Sequence, residues 1–264
     1  MGILNNLFKM GYSRKGSRFY GDTDVGLVRS KNEDYFELLP DRGLYILADG
    51  MGGHNAGEVA SVSAVKSLCD YFTSERVASL RNNPDTIRSE MIQSVQAAHQ
   101  TIVDLSEGKP EYGGMGTTLI FSFVHDGALH ICHVGDSRAY MVNTRSINQI
   151  TNDHSGVWTL VKSGEMTSEE ARHSPLRNQI SQALGAPFPI TPEYTKEPID
   201  GSDIVLLCSD GLWDMLSDDE IHSIILDGDT LEHVGKELIR RANEEGGEDN
   251  ITLVLFRGEE ETLN

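Results

Sequence analysis

Apolar positions along the chain fall into two kinds of pattern: short, nearly unbroken runs, and longer segments with apolar residues every three or four places. The runs are Leu44–Ala48, Leu129–Val134, Ile204–Cys208 and Ile251–Phe256, each bounded by turn-forming residues. Runs of this length and boundary read as buried strands. Further strands are expected from Asp24 to Arg29, Tyr35 to Leu39, Thr117 to Val124, Ala139 to Val142, Ile147 to Ile150 and Asn178 to Leu184. His125-Asp126-Gly127 joins two of them as a hairpin signal. Helical spacing predicts one helix from about Gly57 to Phe72. A second starts near Pro84, carries Ile87, Met91, Val95, Ala98, Ile102 and Leu105, and is stopped by Gly108 and Pro110. Ser217 with Glu220 caps another helix, and Leu231, Val234, Leu238 and Ile239 mark the last. The segment from Asp153 to Ser174 differs: a helix at Val157 to Lys162, a stop at Gly164 and a capping box from Thr167 to Glu170 make it a small helical excursion. Hairpins with grouped helices argue for an antiparallel α+β domain with strand enough for two sheets, not a doubly wound parallel sheet.

The 264 residues fit one large domain or two small ones, and no repeat or linker divides them. Residues 1–19 carry Lys9, Arg14, Lys15 and Arg18 with no acid and are expected to be a mobile extension. Residues 20–257 then form the main folded domain, with an acidic tail over 258–264. The net charge of −19 disfavours nucleic acid and anionic membrane as partners, although a local cation site can still hold a phosphorylated substrate. Cys69, Cys132 and Cys208 are odd in number and widely spaced, which suits a reducing compartment rather than a disulfide framework or zinc cluster. No stretch is apolar enough to cross a membrane, no secretory signal is visible, and Asn6 breaks the myristoylation pattern after Gly2. A cytoplasmic monomer is expected.

The chemistry lies at the ends of the apolar runs. Three of them finish in an aspartate beside a small residue: Asp49-Gly50, Gly135-Asp136 and Ser209-Asp210-Gly211. A fourth acid, Asp249, stands just before Ile251–Phe256. Any one Asp-Gly is most simply a turn. An ionised carboxylate at the rim of a core is costly unless paired, and few basic residues adjoin these acids. Four such acids therefore point to a bound cation, and to more than one if the strand ends converge.

Eight ordered motifs then match a family. Arg29-Ser30-Lys31-Asn32-Glu33-Asp34, Ala48-Asp49-Gly50-Met51-Gly52-Gly53-His54 and Gly57-Glu58-Val59-Ala60-Ser61 resemble the opening of the metal-dependent (type 2C) serine/threonine protein phosphatases. Gly114-Met115-Gly116-Thr117-Thr118, Val134-Gly135-Asp136-Ser137-Arg138-Ala139-Tyr140, Thr151-Asn152-Asp153-His154-Ser155, Cys208-Ser209-Asp210-Gly211-Leu212-Trp213 and Glu248-Asp249-Asn250-Ile251-Thr252 continue the resemblance in order, over about residues 20 to 257. The Asp-Gly-Met-Gly-Gly-His form is similar to the bacterial branch. The resemblance implies a β-sandwich with a helical layer on each face and a mobile flap, here about 153–174. It implies hydrolysis of phosphoserine and phosphothreonine in proteins through a water or hydroxide bridging two metal ions. Phosphoproteins, a serine/threonine kinase and its targets among them, are the partners it implies.

By the same resemblance Asp49 bridges both ions, the Gly50 carbonyl helps bind the first, and Asp210 and Asp249 hold the second. All-oxygen ligands favour Mn²⁺ or Mg²⁺ over zinc. Asp136 resembles the ligand of a weaker third ion shared with Asp210, against a plain hairpin-turn reading. Glu33 and Asp34 would hold metal-bound waters. Arg29 is the candidate phosphate clamp, because a guanidinium fork matches phosphate oxygens. His54 is either the general acid for the leaving seryl oxygen or only a partner of a ligand carboxylate. Two other readings carry less. Cys132 to Arg138 spells the Cys-x₅-Arg of cysteine-dependent phosphatases, but that chemistry needs a loop opening into a helix, and strand is expected here. A non-catalytic scaffold of the same fold would be expected to lose metal carboxylates, and Asp49, Asp210 and Asp249 are all present.

Overall fold

The computed structural model describes residues 17–258 except 54, 55, 168, 169, 172, 173, 175 and 178. The basic extension thus lies almost wholly outside the described residues, as do His54 and nearly all of the acidic tail. Two five-stranded antiparallel sheets stack face to face. One contains, in spatial order, β1 (Phe19–Asp24), β12 (Ile251–Arg257), β11 (Ile204–Cys208), β8 (Arg138–Val142) and β9 (Ile147–Gln149). The other runs β10 (Glu193–Pro198), β7 (Ala128–Val134), β6 (Leu119–His125), β3 (Leu44–Ala48) and β2 (Tyr35–Leu39). A two-stranded ribbon pairs β4 (Gly50–Met51) with β5 (Gly116–Thr117).

Alternation within the apolar runs explains why they are unbroken. In β3, Tyr45 and Leu47 face the inter-sheet core, while Leu44, Ile46 and Ala48 face an outer helical layer. In β12, Val254 and Phe256 point inward and Ile251, Leu253 and Leu255 outward. A strand covered on both faces needs apolar residues at every position, and period-two alternation disappears from its sequence. Tyr45 and Phe256 stack across the sandwich with ring centroids 4.0 Å apart. The outer layer on one side is α1 (Ala56–Tyr71), α2 (Ser74–Asn82) and α3 (Ile87–Gly108); on the other it is α5 (Asp210–Trp213), α6 (Asp218–Asp227) and α7 (Leu231–Glu244). Between the sheets in sequence lies α4 (Gly156–Ser163), capped by Ser155 Oγ and ended by Gly164, as its spacing predicts.

Two local expectations are corrected, and two elements appear that no pattern announced. The first strand is Phe19–Asp24, paired with β12 throughout, and Val25 to Arg29 leave the sheet. Of the stretch from Asn178 to Leu184, the described part makes only two isolated bridges, Ser155 with Ile180 and Thr117 with Leu184, because no strand runs alongside it. Helix α2 was not anticipated: it buries only Val77 and Leu80, too few to show a stripe. Strand β10 escaped too, since an edge strand reading Glu-Tyr-Thr-Lys-Glu-Pro is largely polar.

Candidate metal centre

The antiparallel register gathers the four acids at one end of the sandwich. Cys208 pairs with Leu253, so the end of β11 meets the start of β12, and Asp210 comes to stand beside Asp249. The ends of β3 and β7 bring Asp49 and Asp136 to the same place. Arg29, Lys31, Glu33, Asp49, Gly50, Asp136, Asp210 and Asp249 all line one cleft of ≈ 360 Å³. At ~30 Å³ per water this holds about a dozen waters, room for hydrated ions and a phosphate.

Backbone clamps fix the acids. The Asp49 carbonyl accepts from Thr117 Oγ1 and from the Thr118 N–H, both at 2.8 Å, and the Asp49 N–H donates to Thr118 Oγ1 at 3.1 Å. Thr118 Oγ1 also bonds Ser137 Oγ at 2.7 Å, tying the Asp49 turn to the loop of Asp136. The Asp136 carbonyl accepts from Trp213 Nε1 at 3.1 Å, which fixes that loop against α5. Asn250 holds the Arg29 segment: its amide donates to the carbonyls of Val25 and Lys31, and its oxygen accepts from the Glu33 N–H at 2.8 Å. Gly50 passes so close to α1 that a Cβ would stand 2.3 Å from the Gly57 carbonyl and 2.4 Å from that of Glu33. Only a bare backbone fits. Gly57 in turn leaves room for the Glu33 carboxylate, whose Oε2 would meet a Cβ there at 2.8 Å.

Electrostatics then test whether a cation fits. Burial, followed by repulsion from Asp34, Asp210, Asp136 and Asp249, pushes the Asp49 carboxyl well above its ordinary range. Burial and Asp210 do the same to Asp136. Asp34 is raised to about 7 and Asp210 to about 6, again with burial as the largest cause. Glu33 is raised mainly by burial, which Arg29 and Lys31 oppose. Asp34 Oδ1 and Asp210 Oδ1 are buried and find no hydrogen-bond donor among the described residues. Carboxylates this close cannot all ionise without positive charge between them. An all-oxygen, charge-starved cluster fits hard divalent ions.

Most expected residues converge, with two qualifications. Arg29 is not free: its guanidinium donates to Asp249 Oδ2 at 2.6 Å across the mouth of the cleft. His54 lies outside the described residues. Thr117, Thr118 and Asn250 sat inside the quoted motifs, but nothing in their spacing announced that they hold the backbone of Asp49 and Glu33. Asp34 is more than an outer partner. It is buried and accepts from Ser209 Oγ at 2.9 Å and Thr252 Oγ1 at 2.6 Å, locking β2 to β11 and β12.

The Cys-x₅-Arg pattern is a coincidence of strand packing. Cys132 is buried in β7 with its thiol pushed up to about 12 by burial. Arg138 makes a buried bidentate pair with Asp153 and lies 3.7 Å over the Trp213 ring. A second group of possible ligands, His133, His154 and Glu193, has its atoms within 4.8 Å of one another. The Gly135 N–H donates to His154 Nδ1 at 3.2 Å, so the proton of His154 sits on Nε2, toward Glu193 at 3.7 Å. His133 Nε2 donates to the Asn152 carbonyl at 2.9 Å. These bonds engage His133 Nε2 and His154 Nδ1 and join the end of β7 to the Asp153 segment.

Comparison with known proteins agrees with this geometry. The family model described as Protein phosphatase 2C matches residues 28–255. The serine/threonine phosphatase stp of Listeria monocytogenes is 38% identical over 236 residues, 88% of this chain and 92% of that protein. The crystal structure of the Mycobacterium tuberculosis serine/threonine phosphatase PstP/Ppp superposes with a TM-score of 0.82 at 36% identity, over 92% of this chain and 99% of that one. The catalytic domain of PstP in complex with two manganese ions is similar at a TM-score of 0.76 and 35% identity, over 90% and 96% of the two chains.

Proposed function

Because the chain belongs to the bacterial branch of the protein phosphatase 2C family, and is thereby a metal-dependent protein serine/threonine phosphatase, we propose how its own residues divide the work. Asp49, the Gly50 carbonyl, Asp210 and Asp249 would hold two Mn²⁺ or Mg²⁺ ions, and Asp136 with Asp210 a weaker third. Bound there, the ions would neutralise the phosphate and lower the pKa of a coordinated water. The observation that carries this reading is the buried Asp210 Oδ1 with no donor, amid carboxylates that raise one another's pKa.

Arg29 binds and orients the phosphate. Its pair with Asp249 is half exposed, and such pairs are worth about 0–1 kcal/mol, so releasing the guanidinium to a dianion costs little. Glu33, in the loop before β2 with its carboxylate against Gly57 of α1, would accept hydrogen bonds from water in the cleft and orient it. His54 remains the candidate for protonating the leaving oxygen. The segment of α4, bridged to Ile180 at the cleft edge, would act as the flap that admits phosphoproteins. Phosphoproteins are the substrates, with a serine/threonine kinase and its targets proposed among them. Three free cysteines, two of them buried, support a cytoplasmic setting; no helix among the described residues is long and apolar enough to cross a membrane.

The test is hydrolysis of a phosphothreonine peptide after exhaustive chelation and after re-addition of Mn²⁺. Activity should vanish and return. Asp49→Asn should stay folded and lose at least about a hundredfold in turnover. Full activity of the chelated protein would refute the metal assignment.

A further inference from the structure

Three of the six large apolar side chains exposed among the described residues lie in one short stretch: Val25, Leu27 and Val28, the last two each 69% exposed. The stretch falls within the strand expected from Asp24 to Arg29 but has left the sheet. It is firmly held. The Leu27 and Val28 N–H groups donate to the Gly247 carbonyl at 2.8 and 3.3 Å, the Gly26 N–H donates to Asp24 at 2.9 Å, and the Asn250 amide donates to the Val25 carbonyl at 3.0 Å. The result is a rigid apolar ridge in water. Ridges of that kind recover hydrophobic free energy only by meeting a partner, and rigidity lowers the entropy cost of the meeting.

The occupant follows from chain continuity. Val28 is followed directly by Arg29, Ser30 and Lys31, which line the cleft. Consecutive Cα atoms are about 3.8 Å apart, so Leu27 and Val28 lie within about two residue lengths of the guanidinium's own Cα. A peptide whose phosphate is held by Arg29 therefore has its neighbouring residues within reach of this ridge. We propose that Leu27 and Val28 form a specificity element that seats a large apolar side chain within three residues of the substrate's phosphoserine or phosphothreonine. The proposal rests on the Arg29 phosphate clamp given above.

The test compares two phosphothreonine peptides in Mn²⁺ buffer, identical except for leucine or serine at the three positions on each side. Wild-type kcat/KM should favour the leucine peptide about tenfold, equivalent to about 1.4 kcal/mol, mostly through KM. The double variant Leu27→Ser, Val28→Ser should bring that ratio close to one, whereas Leu27→Met should keep it. A wild-type ratio below about two overturns the ridge, and so does a double variant that weakens both peptides alike and keeps the ratio. Failure of the clamp reads out separately: Arg29→Ala with unchanged KM on the serine peptide removes the anchor, and the inference falls with it.

Discussion

At the scale of single residues, the same side chain can serve two partners, and magnitude decides between them. Arg29 meets Asp249 in an exposed pair, worth little, while a phosphate dianion offers two oxygens and more charge. Because that contact would exist in both the bound substrate and the transition state, Arg29→Ala should raise KM for a phosphopeptide about tenfold or more and lower kcat less. Steady-state kinetics on the variant checks it. Asp136 is buried beside Asp210 with its carbonyl held by Trp213. Asp136→Ala should keep the two inner ions, lose the third and most turnover, and change hydrogen exchange in the α4 segment. Calorimetric stoichiometry with rates decides it: the same number of ions and normal turnover would leave Asp136 a hairpin residue. The acids proposed as ligands were legible in sequence because Asp49, Asp136 and Asp210 close apolar runs and Asp249 stands just before one. The clamps Thr117, Thr118 and Asn250 were not, since a residue that acts by holding a distant backbone leaves no local pattern.

At the scale of elements, the centre depends on how closely α5 packs against the start of β12. A Cβ on Gly211 would stand 2.1 Å from the Asn250 carbonyl, a backbone atom that cannot swing away. Gly211→Ala should therefore push α5 outward, separate Asp210 from Asp249 and cost about 1–3 kcal/mol of stability. A lowered melting temperature with at least tenfold weaker Mn²⁺ binding is the expected result; unchanged metal affinity would show that the spacing of α5 and β12 is not what sets the site. Capped and striped elements were readable in advance. Ser217 and Glu220 form the reciprocal capping box, and Thr167 and Glu170 make the same exchange. Elements with one apolar contact per turn, such as α2, or with a solvent-facing edge, such as β10, were not.

At the scale of the whole molecule, the packed end of the sandwich stores carboxylates that protons and metal ions compete for. Asp210 at about 6, Asp34 at about 7, and Asp49 and Asp136 well above their ordinary values keep protons in the metal-free folded state that the unfolded chain has already lost. Their stabilising share is complete below the unfolded carboxylate range and is lost as pH rises through the folded values. Buried His130 and His154, both lowered to about 4, work in the opposite sense: their share is complete above the ordinary histidine value and is lost as pH falls through the folded one. The histidines lie outside the proposed ligand set and cancel when the metal-free and metal-loaded proteins are compared. The rise in melting temperature on adding Mn²⁺ should therefore grow from pH 5 to pH 8 as the acids release protons to the ion. A thermal-shift series in matched buffers tests this, and a pH-independent shift would contradict it.

The pattern along the chain determined an antiparallel α+β domain with strand enough for two sheets, because a strand buried on both faces must be apolar throughout and a covering helix must repeat every three or four residues; the helical layer on each face came from the family resemblance. It determined the acids as well, since a carboxylate at the end of such a run has no cheap resting place without a cation. Tertiary structure decided what period cannot express. It set which strand ends meet, through the register of β11 against β12. It held the Asp49 and Glu33 turns through Thr117, Thr118 and Asn250. It also took Val25, Leu27 and Val28 out of the sheet where a strand was expected and fixed them, exposed, next to the cleft-lining Arg29. Each of those outcomes depends on contacts between residues far apart in the chain, and pattern along the chain carries no record of them.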